Sequence, residues 1–90
     1  MHANSLQAYA ESQTHLSARE QLIVARMQQD VFGEWTDRQM MHALGFKDMN
    51  AVRPRITGLV QKGILKEVGS VRDEVTGKTV RTVSLVEGAA

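Results

Sequence analysis

An α+β fold, three helices followed by a C-terminal β-hairpin, is predicted for this 90-residue chain by three observations. Two capping-box patterns, Ser17-Ala18-Arg19-Glu20 and Thr36-Asp37-Arg38-Gln39, precede apolar residues at helical spacing and mark two helix starts. A third amphipathic stretch begins at Val52, is stopped by Gly63 and runs straight into the apolar strand start Ile64-Leu65. Two β-rich runs, Ile64 to Arg72 and Thr79 to Val86, are joined by Asp73-Glu74-Val75-Thr76-Gly77-Lys78, whose Gly77 suits a turn position with positive φ.

The elements follow in order. Residues 1–16 are a polar leader in which Leu6, Tyr9 and Ala10 stand at helical spacing, so the segment is either a short extra helix or a frayed tail. The first helix runs from Ala18 to about Gln29 and is expected to bury Leu22, Ile23 and Met27. Glu34-Trp35 could form a short strand. The second helix starts at Asp37, with Trp35 in register to staple onto Met40. Met40, Met41 and Leu44 form its inner side, Gly45 supplies a left-handed stop, and Phe46 plugs the core from the turn. The third helix is placed at Ala51 to Lys62 with Asn50 as its cap, because Pro54 then falls near the first turn; a cap at Asp48 would cost more backbone bonding. Val52, Ile56, Leu59 and Val60 make its inner stripe, while Asn50, Arg53, Pro54, Thr57, Gly58 and Gln61 look outward. The domain proper covers residues 17–87, with 88–90 as a tail. This order, helix, helix, turn, helix, hairpin, is a winged helix-turn-helix.

Composition narrows the function. At this size a single core gives marginal stability, so oligomerisation would help. The chain has no cysteine, which excludes disulfides and thiolate metal sites and suits a reducing cytoplasm. There is no apolar run of membrane-spanning length and no signal-peptide pattern, so a soluble cytoplasmic protein is expected. The net charge is only +1, but its distribution is uneven. Residues 1–35 carry Arg19 and Arg26 against Glu11, Glu20, Asp30 and Glu34, whereas residues 36–90 hold nine basic against six acidic residues.

Thr36 to Gly45 looks like the first helix and turn of a bacterial helix-turn-helix, and Val52 to Leu65 like its partner. Together with Thr76-Gly77-Lys78 and Val80-Arg81, the segment Val52-Arg53-Pro54-Arg55-Ile56-Thr57 resembles small winged-helix proteins of bacteriophages and prophages, over roughly residues 17–86. The resemblance implies double-stranded DNA binding, with the third helix in the major groove and the hairpin touching an adjacent groove or backbone. The chain departs from the commoner pattern at Gly58, where a longer polar residue is usual, and its wing is modestly basic.

The candidate contacts follow from that frame. Asn50, Thr57 and Gln61 are the expected base readers, since short or neutral polar groups let a helix approach base edges. Arg53 and Arg55 flank them, reaching phosphates or, for Arg53, a guanine edge. An ordinary solvated helix face would show the same residues. Arg38 and Lys47, near the free amides at the start of the second helix, offer a phosphate site, although plain capping accounts equally for Thr36 and Gln39. Arg72, Lys78 and Arg81 on the hairpin are supporting contacts to the minor groove or its phosphates, unless Asp73 and Glu74 pair with them. If four to six cations reach phosphates, log affinity against log salt should slope at about −4 to −5.

An enzyme is not expected. His2, His15 and His42 are scattered, and no nucleophile, phosphate-binding glycine loop or paired carboxylates appear, so no cofactor, metal or small-molecule ligand is anticipated. A site-occupying phage or prophage transcriptional regulator is the reading, with a replication or packaging accessory as a variant. A winged-helix module for protein–protein contact or dimerisation is the rival, whose sign would be an apolar patch on the third helix. Leu6, Tyr9 and the outer side of the first helix could serve a homodimer.

Overall fold

The computed structural model describes residues 16–86. Helix α1 spans Ala18–Gln28, α2 spans Asp37–Leu44, and a 3₁₀ turn at Met49–Ala51 leads into α3 at Arg53–Gln61. Strands β1 (Leu65–Arg72) and β2 (Thr79–Leu85) form an antiparallel hairpin with an irregularity in register between Glu67 and Gly69. The predicted α+β winged helix-turn-helix, a three-helix core with a β-hairpin wing, is therefore the fold observed.

Both capping boxes form. Glu20 N–H donates to the Ser17 hydroxyl at 3.1 Å and Ser17 N–H to the Glu20 carboxylate at 2.8 Å, and Thr36 and Gln39 repeat the exchange at the start of α2. Gly45 ends α2 at φ 77, with its amide donating to the His42 carbonyl and that of Phe46 to Met41, which satisfies two otherwise free carbonyls.

The core joins Ile23, Val24 and Met27 of α1, Met40 and Met41 of α2, Val52, Ile56 and Leu59 at α3, and Leu65, Val83 and Leu85 of the hairpin. Leu16, at the end of the leader segment, is buried with them. Phe46 and Trp35 pack against this cluster, and each also lies beneath a cation, Arg19 and Arg26 respectively, at 5.6 and 4.8 Å from the ring centre. Trp35 pairs with Val83 through two backbone bonds of 2.9 and 2.8 Å, so the expected short strand at Glu34-Trp35 is an isolated bridge against β2.

Three placements differ from the sequence expectation. Leu22 is 49% exposed and Val24 is buried in its stead, because Glu20, Ile23, Val24 and Met27 form the inward stripe of α1 at spacings of three and four, a phase that Leu22 does not share. Leu44 is half-buried. The third helix starts at Arg53 with Val52 as N-cap, and Asn50 caps nothing: the Asp48 carboxylate accepts from the Asn50 amide at the head of the 3₁₀ turn. The reason is Pro54. In the second position of α3 its missing N–H is one that would have no helical partner, whereas a start at Ala51 would place the ring one turn inside.

Candidate nucleic-acid interface

α3 is set by its inner stripe and by a buried carboxylate beneath its C-terminal half. Lys62 donates to both Glu20 oxygens at 3.0 and 3.1 Å, and a Cβ on Gly58 would lie 3.0 Å from the same carboxylate. Gly58 therefore faces α1, and Lys62, itself exposed, turns its ammonium to the same carboxylate. This corrects the expectation that Gly58 belongs to the exposed centre and explains why a longer residue is missing there. Burial works to raise the Glu20 pKa, but the Ser17 amide, Lys62 and the Ser17 hydroxyl outweigh it and hold it below its ordinary value.

What α3 presents outward is narrower than the sequence suggested. Arg53, Pro54 and Gln61 are exposed, with Asn50 exposed on the preceding turn. Thr57 is half-buried, and its hydroxyl accepts a 2.8 Å bond from Arg81 of β2. Arg55 is half-buried, with its Nε enclosed and without a partner. No large apolar side chain on α3 is exposed, so the mark of a protein-docking helix face is missing from it.

Between the first turn of α2, α3 and the hairpin lies a cleft of about 560 Å³. Arg38, Arg53, Lys78 and Arg81 line it, together with Asp37 and Asp73, two acids that the sequence reading did not place in the site. Arg81 donates to Asp37 at 3.0 and 3.2 Å and approaches Glu67 at 3.5 Å, while Arg38 Nε meets Asp73 at 2.8 Å. The guanidinium of Arg53, 59% exposed, stands 3.9 Å from Asp37. The hairpin arginine thus pairs with α2 as well as with Glu67 of the neighbouring strand, and Asp73 pairs with α2 instead of across the hairpin. Among the described residues Lys47, Arg72 and Lys78 enter no ion pair, and all three are exposed. The hydrogen bond that Arg81 donates to Asp37 raises the pKa of Arg81 against a smaller opposing effect of burial.

Pairs between residues 35 to 44 positions apart leave no signal in a single sequence. The role of Asp73 in its own turn is more legible: it accepts from the Thr76 amide and hydroxyl at 3.0 and 2.9 Å, as an acid at the head of a turn commonly does. Chiefly through the hydrogen bond from Arg38, against a smaller effect of burial, the Asp73 pKa falls from 3.8 to about 2. A folded pKa below the unfolded one means that the ionised form favours the native state. That contribution is complete above pH 3.8 and fades as the pH drops toward 2. In thermal melts, the difference in Tm between wild type and Asp73→Asn should therefore be constant above about pH 5 and close toward pH 2. A difference unchanged across that range would rule out the ionised pair as its source.

Among the described residues no helix is long and apolar enough to cross a membrane, and no three potential metal-ligating side chains converge. His42 is exposed on α2, while His2 and His15 lie outside the described residues.

Three helices around one core with a hairpin beside the last of them define the winged-helix class of domain. One solved structure similar to this chain is the adhesin competence repressor (AdcR) from Streptococcus pyogenes, at 25% identity and a TM-score of 0.59 over 97% of the present chain. The chain spans 58% of that protein's length. No family model matches the chain, and no curated protein does.

Proposed function

We propose that this chain binds double-stranded DNA as a transcriptional regulator that acts by occupying its site, with α3 in the major groove and the hairpin as wing. The observation that carries the reading is the outer face of α3. It offers Arg53, Pro54 and Gln61 with no large apolar group, beside a cleft whose rim carries the exposed Lys78. Similarity to the solved structure of a repressor supports the same reading. Asn50, Gln61 and Arg53 are the proposed base-facing residues, and Lys47, Lys78 and Arg72 the phosphate contacts. Arg55 is the weaker candidate of its flank because part of its guanidinium is enclosed.

A phage or prophage origin rests on the Arg53-Pro54-Arg55 segment and the Thr76-Gly77-Lys78 turn alone. A cytoplasmic homodimer would use the leader and the outer side of α1, where Leu22 lies exposed. Its half-sites would be spaced by about 10 base pairs or a multiple of that.

Gel shifts on duplexes selected from a randomised pool, beside an unselected duplex of equal length, test the reading. Arg53→Ala combined with Gln61→Ala should weaken the selected duplex by about 1 to 3 kcal/mol per lost base contact while Tm stays near that of the wild type. Equal affinity of this variant and the wild type for the selected duplex would remove α3 from the interface. A folded wild type that shifts no duplex at low salt would turn the reading to the interaction module, with the exposed Val68, Val71 and Val75 of the hairpin as the surface to examine.

A further inference from the structure

The first turn of α2 presents an acid and a base side by side, Asp37 and Arg38, and the hairpin meets them with a base and an acid, Arg81 and Asp73. Arg81 does more than pair. The same guanidinium donates to the Thr57 hydroxyl at 2.8 Å and approaches the Arg53 carbonyl at 3.4 Å, so one side chain of β2 touches both α2 and α3. We propose that Asp37 and Asp73 are positioning residues for duplex binding, which fix the hairpin against α2 and α3 so that helix and wing address one duplex together. The inference rests on the DNA-binding reading above.

The apolar anchors of the hairpin sit at its base, where Leu65, Val83 and Leu85 are buried. Beyond them, residues 68–81 contribute no buried apolar side chain, and Val71 and Val75 are exposed. The outer half of the hairpin, which carries Arg72 and Lys78, is therefore held to the helices by the two ion pairs. An arginine fork binding a carboxylate and a hydroxyl at once fixes direction as well as distance. Two acids in the wall of a cleft meant for a polyanion are otherwise unfavourable, because each repels phosphate.

That conflict gives a test in which the sign decides. Asp37→Asn and Asp73→Asn each remove a negative charge at nearly constant size. If the acids only flank the cleft, duplex binding tightens. If they position the hairpin, binding weakens, by roughly three- to tenfold on the scale of couplings between contacting residues. The expected loss should also shrink in a Lys78→Ala background, where the wing contact is already gone; a general loss of folded protein would cost the same in both backgrounds. Arg81→Lys keeps the charge and removes the fork. It should weaken binding as the asparagine variants do, and it carries the test if one of them does not fold. Unchanged or tighter binding in these variants overturns the inference and leaves the DNA-binding reading standing. A folded wild type without affinity for any duplex overturns that reading and this inference with it.

Discussion

Ile56→Ala should cost the domain about 2 to 5 kcal/mol, a large part of the roughly 5 to 15 kcal/mol that holds a small domain folded. Ile56 is wholly buried in α3 and belongs to the same cluster as Leu59, Met40, Met27 and Val83, so its truncation opens a cavity where α3 meets the rest of the core. With 90 residues the chain has little additional core to absorb that loss. The melting temperature should fall by well over ten degrees, at several degrees per kcal/mol for a domain of this size. DNA affinity should then disappear with the fold, and not selectively. The outward residue Gln61, one turn and a little further on, provides the control: Gln61→Ala should leave the melt within about 0.5 kcal/mol of wild type. A melt of Ile56→Ala that overlays the wild type would show that α3 is not seated as described.

Salt should weaken duplex binding steeply, though less steeply than the count of cations in the sequence suggests. Of the seven cations that the sequence offers to DNA, Arg38, Lys47, Arg53, Arg55, Arg72, Lys78 and Arg81, two are hydrogen-bonded to buried carboxylates, Arg53 stands 3.9 Å from one of these, and Arg55 is partly enclosed. A guanidinium already matched to Asp37 or Asp73 has its counterion built in and releases little on meeting a phosphate. If Lys47, Arg72 and Lys78 make the phosphate contacts, log affinity against log salt should slope at about −3 per subunit, near 0.9 per phosphate. Between 50 and 200 mM salt that is a loss of roughly 60-fold. Lys78→Ala should reduce the slope by about one. A slope nearer −5 would mean that Arg38 and Arg81 exchange their carboxylates for phosphates on binding, and a flat line would exclude a phosphate-dominated interface.

Both capping boxes, the glycine stop after Leu44 and the positive-φ glycine in the hairpin turn were readable because each rests on residues within a few positions of one another. The inner stripe of α3 was readable for the same reason, since helical periodicity fixes which of Val52, Ile56 and Leu59 share a side. Local chemistry of this kind specifies the order of elements and hence the winged-helix class. It also located the outward residues Arg53, Pro54 and Gln61, the part of the candidate site that depends on helix phase alone.

What the tertiary structure decided is how neighbouring elements use those residues. Leu22 and Val24 are equally apolar, and only the direction in which α1 meets the core selects Val24. Pro54 was compatible with more than one helix start until the 3₁₀ turn at Met49–Ala51 supplied a separate lead-in capped by Asp48. Gly58 reads as an open position in the groove-facing helix until Glu20 of α1 appears beneath it. Arg38 reads as a free cation, and Arg81 as one that could pair only with acids of its own hairpin, until Asp73 and Asp37 come within hydrogen-bond distance of them. Charge and amphipathic phase are properties of a segment and can be read along the chain. The partner of a charge is a property of two segments brought together, and it settles whether an arginine in this fold meets DNA or holds the wing in place.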